Sequence, residues 1–455
     1  MTDDQIMTNV LVRYHALLRQ AAQIVRSERA TAPPPVTLDL PEPDERLTAF
    51  YDVSDMSLTP LGERDGRRLF LLDLMRNPGT MTTKTPASLL MVARAAAHVR
   101  ATGERLIIVT PTSGNKGTAL RDAVARAYAH GLVTPDELRV VIVVPERSRG
   151  KLRACPLSRD PALSAANPIA LARVQTPGDV KPLSQRAVEA YGAAIHADTG
   201  FRLWYTLDLD NYRIADAARA FAEAELMPIT PGSRPRVHAH AVSSAYGLLG
   251  YHLGHRVLTE RRPQSLPAPA RHPGFFLIQQ LSTPDMVLSL TKGGTARTLL
   301  PRYEADGGLW RQSADPAFPS VTEDPAEEID ATFYTRAPVT SPQVNRIIGE
   351  FGGGGVVVSR YECVQRYDTV RALARQAGVE LPGDPADIRE WSLVKALAGA
   401  LTGIERGLLA PGTDVIVHAS GFYSDAVLPP LAEHETTPVD GEDELVKLLM
   451  AAAAG

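Results

Sequence analysis

Cysteine is almost missing from the chain: two in 455 residues, Cys155 and Cys363, far apart and without metal-ligand spacing. That excludes a disulfide-built scaffold and a cysteine-based zinc module, and makes a reducing cytoplasm the compartment to expect. No apolar run reaches the roughly 18 residues of a membrane span, so no membrane partner is expected. An excess of one charge is lacking as well. With 48 basic against 52 acidic residues and no long Lys/Arg run, the chain is not built for nucleic acid or an anionic membrane surface. The first residues, Met1-Thr2-Asp3-Asp4, are acidic where a secretory leader is basic, which predicts a soluble protein that stays where it is made.

The length allows two or three domains and a large core. Val10, Tyr14, Leu17, Ala21 and Val25 recur at spacings of three or four, so residues 5–28 read as one amphipathic helix. A proline-rich spacer follows, from Thr31-Ala32-Pro33-Pro34-Pro35 to Pro41-Glu42-Pro43. Together they form an extension, 1–57, that covers the main body or a subunit interface, and a homodimer is the assembly to expect. From Leu58 the pattern alternates between strand and helix. Leu69 to Met75, Arg105 to Val109 and Arg139 to Val144 read as strands, and Ala87 to Arg100 and Thr118 to His130 as helices. Continuous apolar strands separated by helices predict a parallel sheet buried on both faces. Later elements are a strand at Val237–Val242, a helix at Tyr246–Leu258, and helices at Tyr361–Ala377 and Arg389–Ile404. The stretch 282–350 is poorly patterned, and loops and short helices are expected there.

Two turns carry chemistry. In Asn77-Pro78-Gly79-Thr80-Met81-Thr82-Thr83-Lys84-Thr85-Pro86, a strand passes into a helix with Lys84 at the junction. Helix N–H groups nearby disfavour an added positive charge, and a deprotonated amine there can form a Schiff base with a carbonyl cofactor. The alternative is an exposed lysine at a helix start. In Thr110-Pro111-Thr112-Ser113-Gly114-Asn115-Lys116-Gly117, a strand ends, two glycines allow a tight turn and a helix begins. Free N–H groups at such a turn suit an anion. It is not a phosphate loop of the Gly-x4-Gly-Lys-Ser type, because Lys116 lies between the glycines; a plain helix cap by Ser113 or Asn115 is the alternative.

In the order of these features the sequence resembles the fold type II pyridoxal-phosphate enzymes, and among them the threonine synthases and their β-eliminating relatives. Leu58-Thr59-Pro60-Leu61, the Asn77–Lys84 segment, the Thr112–Gly117 loop, Val357-Val358-Ser359, Trp391 to Leu401, and Val415 to Gly421 stand where that family has its motifs. The resemblance spans roughly 58–425. It implies an α/β enzyme with two three-layer domains and parallel-rich sheets: a large cofactor-binding domain, 58–87 and 201–455, and a small mobile domain, 88–200. It implies pyridoxal 5'-phosphate held by Lys84, which then serves as acid and base at the substrate α-carbon. Asn115 would bond the ring hydroxyl, and Ser420 would face the pyridine nitrogen. Thr112, Ser113, Gly114, Lys116 and Gly117 would bind the carboxylate of a small amino-acid substrate. The implied reaction is β- or γ-elimination or replacement. A racemase or isomerase on the same scaffold, using Ser244 or Tyr246 as a second acid/base, and a non-catalytic cofactor-binding homologue are the alternatives.

Where that family has a glycine-rich phosphate loop, this chain has Ser243, Ser244, Ala245, Tyr246 and Gly247 ahead of a helix. Two hydroxyls and the N–H groups there are expected to hold the phosphate. The run Gly352–Gly355 is a rival that reads as a flexible turn. Lys116, where small hydroxyl residues are common, is expected to read a second acidic group on the substrate; the alternative is that it points to solvent or pairs with a nearby acid. Arg147, Arg149, Lys151 and Arg153 form a basic cluster that closes over an anion or faces solvent. His238 and His240 share one strand face; no third metal ligand is marked, so packing or cofactor contacts are expected.

Overall fold

The strands form where the sequence is apolar on both faces. Ile107, Ile108 and Val109, and Val140 to Val144, are fully buried, as strands covered by helices on either side must be. The computed structural model describes residues 6–28, 36–206 and 210–454, and these fall into two compact units.

The first unit holds Ile6 and Met7, 55–76 and 219–424. Its sheet has seven strands in the order Ile6–Met7, Met56–Arg64, Arg67–Asp73, Asp414–Ala419, Arg236–Ala241, Gly274–Gln280 and Gly353–Val358. The last five run parallel and the first three antiparallel. The second unit holds the described residues of 8–54, 77–218 and 425–455. Its five strands, Thr437–Val439, Ile169–Ala172, Leu138–Pro145, Arg105–Pro111 and Phe201–Tyr205, are all parallel. Ile107, Val109, Val141, Val143 and Phe201 meet Leu445 and Leu449 of the C-terminal helix in its core.

This division groups Lys84 with the Asn115 loop, whereas the expected boundaries grouped it with the large domain. The packing explains the grouping: helix Thr85–Thr102 lies against helices Asn115–Ala129 and Asp210–Asp216. The C-terminal segment joins the same unit because Thr437–Val439 pairs with Ile169–Ala172.

Several expected elements take another form. The 5–28 helix is broken at Tyr14 into Val10–Arg13 and His15–Glu28, and its apolar stripe, including Leu11, Leu17, Leu18 and Val25, is buried within the chain. Residues 31–35 of the spacer lie outside the described residues. Beyond them Val36, Leu38 and Leu40 are buried, and buried Arg94 donates to the carbonyls of Thr37 at 2.6 Å and Val36 at 3.0 Å. The 361–377 helix is two, Arg360–Gln365 and Tyr367–Gln376. Within 282–350 there are helices Asp285–Lys292 and Ser341–Phe351 and a small antiparallel sheet, Glu304–Asp306, Leu309–Arg311 and Val321–Thr322. Gly353, Gly354 and Gly355 are no flexible turn: they pair with Phe275, Phe276 and Leu277 as a strand. No described helix is long and apolar enough to cross a membrane.

Candidate active site

Asn77 builds the turn that carries Lys84. Its side-chain oxygen accepts from the Thr82 N–H at 3.0 Å and the Thr80 hydroxyl at 2.5 Å, while its carbonyl accepts from the N–H of Met81 at 2.9 Å. Met81 takes a left-handed φ of 47° to make the bend. Lys84 precedes helix Thr85–Thr102 with helical dihedrals, and Pro86 costs nothing in the first turn, where its missing N–H has no partner to bond. Lys84 is half-buried, and its Nζ lies 5.0 Å from the centre of the buried Tyr212 ring. The lysine is therefore fixed at its backbone and sheltered by an aromatic face.

Asp122 lies close against the same turn. A Cβ on Gly79 would stand 2.7 Å from its Oδ1, so the close approach needs glycine. Burial pushes the Asp122 carboxyl up to about 6 from 3.8, with Arg126 acting in the opposite direction. Between those values the folded state holds the proton more tightly than the unfolded one, so stability falls as pH rises through the window. Asp122→Asn removes that ionisation. It is expected to stabilise the protein at pH 8, by at most about 3 kcal/mol, and to be near neutral at pH 4. Urea midpoints at the two pH values check this; a gain of equal size at both would contradict it.

The Thr112–Gly117 loop lies in the same unit as Lys84. The Thr112 hydroxyl accepts from the N–H groups of Gly114 at 3.1 Å and Gly117 at 3.0 Å. Two donors expected to face an anion thus close the loop on itself. Gly114 has a φ of 131°, and a Cβ on it would meet the Lys151 Cβ at 2.6 Å. Asn115 opens helix Asn115–Ala129 and is 8% exposed, and Ser113 is half-buried. The Lys116 ammonium donates to the Thr206 carbonyl. Of the basic cluster, Arg149 pairs with Glu433 at 3.0 Å and buried Arg153 with Asp425 at 2.7 Å, so these two arginines anchor the C-terminal segment.

The remaining residues expected to bind the cofactor lie in the first unit. After strand Arg236–Ala241 the chain bends at Ala245, with a left-handed φ of 54°, into helix Tyr246–Glu260. The first N–H groups of a helix have no partner within it, so a helix start of this kind suits an anion. Ser243 and Ser244 are half-exposed beside it. Two threonines absent from the sequence reading pin the loop: the Ser243 hydroxyl donates to Thr335 Oγ1 at 3.0 Å, and the Thr340 hydroxyl donates to the Ser244 carbonyl at 2.7 Å. Gly247 meets a buried guanidinium, that of Arg219, at 2.6 Å from where a Cβ would be. The donors, the bend and the adjacent positive charge fit a phosphate.

Ser420 is 6% exposed at the end of strand Asp414–Ala419. The next residue, Gly421, packs on Glu390, which a Cβ would meet at 3.0 Å, and its carbonyl accepts from the Leu393 N–H at 2.9 Å. Glu390 is fully buried and accepts from the Ser392 N–H at 3.0 Å and from its hydroxyl. Glu390 carries no local sequence signal, since its role comes from pairing with a strand far along the chain. His238 contacts His418 and Glu223. Among the described residues no group of three or more His, Cys, Asp or Glu is placed to hold a metal.

No curated protein matches the sequence. In structure the chain is similar to a threonine synthase from Brucella melitensis with PLP bound, at TM-score 0.53 and 11% identity, over 96% of this chain and 89% of that one. It is also similar to the threonine synthase from yeast, at TM-score 0.51 and 13% identity, over 96% and 88%. The fold is that of the fold type II enzymes, α/β with parallel-rich sheets. By sequence it matches the family of unknown function DUF6002 over residues 6–453, and the chain belongs to that family.

Proposed function

We propose that the protein is a pyridoxal-phosphate-dependent lyase or transferase that acts on an amino acid by β- or γ-elimination or replacement. The observation that carries this is Lys84, set between an Asn77-built turn and a helix start and sheltered by Tyr212, in a chain with the fold of the threonine synthases. When bound, pyridoxal phosphate supplies an electron sink for negative charge at the substrate α-carbon. Lys84 would hold its aldehyde carbon and, once released, take the α-proton on Nζ and return it during turnover. The Ser243–Gly247 loop would hold the phosphate, Asn115 the ring hydroxyl, and the Ser420 hydroxyl would face the ring nitrogen without adding charge. The remaining polar groups of Ser113 to Gly117 would orient the substrate carboxylate, while Thr112 keeps the loop closed.

Reading a second acidic group would require Lys116 to exchange the Thr206 carbonyl for that anion. A cytoplasmic location, expected from the scarcity of cysteine, is part of the same proposal. The apolar stripe that motivated a homodimer is buried within the chain itself, so a homodimer is not part of the proposal. The test is visible absorbance of the protein with added pyridoxal phosphate, followed by a screen of amino acids and their O-phospho and O-acetyl forms. A band that shifts with one of these substrates is expected. A band that no amino acid perturbs would reduce the protein to a cofactor binder.

A further inference from the structure

The first unit contains a buried polar chain that the reaction above does not use. It joins Arg219, His418, His238 and Glu223, all at most 2% exposed. Arg219 NH1 lies 3.1 Å from His418 Nδ1, His418 Nε2 lies 2.8 Å from His238 Nδ1, and His238 Nε2 lies 3.3 Å from Glu223 Oε2. A guanidinium only donates. His418 Nδ1 must therefore accept, which puts its proton on Nε2; that N–H donates to His238 Nδ1, which in turn puts the His238 proton on Nε2, facing the Glu223 carboxylate. The ring protons shared between Arg219, His418 and His238 then each have one position. A protonated His418 would aim an N–H at the guanidinium, and burial beside Arg219, His240 and His238 holds its pKa well below the usual range.

The far end is anchored just as firmly. Glu223 accepts from Arg236 NH1 at 2.7 Å and from the Tyr251 hydroxyl. Tyr251 lies on the same helix, Tyr246–Glu260, whose start forms the Ser243–Gly247 loop. Two guanidinium groups, those of Arg219 and Arg236, thus flank the one carboxylate of Glu223. At the near end the guanidinium packs on Gly247, with NH1, NH2 and Cζ at 2.6, 2.9 and 3.0 Å from the place of a Cβ. Only glycine admits it there, and its charge sits against the first turn of the helix.

We propose that Arg219, aligned by the one-way chain through His418 and His238 to Glu223, is a positioning residue for the phosphate of the ligand held by the Ser243–Gly247 loop, and makes that loop select phosphorylated over unphosphorylated ligand. This rests on the cofactor reading above. A positive charge behind N–H groups strengthens an anion site most where water is excluded, and a fixed guanidinium loses little freedom when the anion arrives. An unphosphorylated ligand gains nothing from it.

The test compares the affinities of pyridoxal phosphate and pyridoxal for the full-length protein, read by absorbance and by quenching of intrinsic fluorescence. Arg219→Met is expected to weaken pyridoxal phosphate on the order of tenfold and to leave pyridoxal unchanged; Arg219→Lys should restore part of the preference. A purely structural role would weaken both ligands alike. If Arg219→Met does not melt cooperatively, Arg219→Lys and His418→Gln carry the same comparison, each expected to reduce the preference. An unchanged preference in these variants, or equal loss of both ligands, overturns the proposal and leaves the cofactor reading standing. A wild-type protein that binds neither ligand overturns both.

Discussion

Lys84→Ala is expected to lower turnover by about a thousandfold or more, and to remove the visible absorbance of the cofactor-loaded protein, with little change in melting temperature. The reasons are local. Nothing else on the Asn77–Thr85 turn carries an amine, and the turn itself is held by Asn77, Thr80, Thr82 and Thr85 without the lysine side chain. Lys84→Arg should fail in the same way, because a guanidinium neither loses its proton nor adds to an aldehyde at working pH. The pair separates chemistry from charge: if arginine restored turnover, Lys84 would be serving only as a cation. Circular dichroism and melting curves of both variants check that the fold persists.

Gly353→Ala is expected to cost about 3 kcal/mol or more, a large part of the ~5–15 kcal/mol that holds an ordinary domain together. Gly353 has a φ of 123°, and a Cβ there would stand 1.9 Å from the Phe275 carbonyl oxygen. That atom belongs to the paired backbone, so relief requires separating two strands. The approach is reciprocal, since a Cβ on Gly274 would meet the Gly352 carbonyl at 2.5 Å. Gly349→Ala, in helix Ser341–Phe351 with nothing within 4 Å of the new Cβ, is the control and should be neutral or stabilising by up to ~1 kcal/mol. Denaturant midpoints for the two variants decide the matter; equal midpoints would show that the strand crossing is adaptable.

What the sequence revealed follows from the range of the forces involved. Ile107 to Val109 and Val140 to Val144 were legible as strands because full burial on both faces leaves an unbroken apolar run. Gly353–Val358 was hidden at its start, because glycines leave no side-chain pattern and the strand exists there for close approach to Phe275. Met56–Arg64 was hidden because it is antiparallel, carries exposed charged residues toward its end, and shifts register between Pro60 and Gly62. The Lys84 and Asn115 turns were legible because each is built from contiguous residues. Thr335, Thr340 and Glu390 reach their places from distant segments, and the Arg219-to-Glu223 chain crosses about two hundred positions. Its one local trace was the His238 and His240 alternation, which in isolation suits packing as well as a network.

The central claim is that Lys84 is the residue that takes up the cofactor. Reduction of the protein with borohydride in the presence of pyridoxal phosphate, followed by proteolysis and mass spectrometry, tests it most directly. The account predicts a single stable phosphopyridoxyl adduct on the peptide that carries Lys84. No adduct, or one confined to another lysine such as Lys116, Lys151 or Lys395, would contradict it.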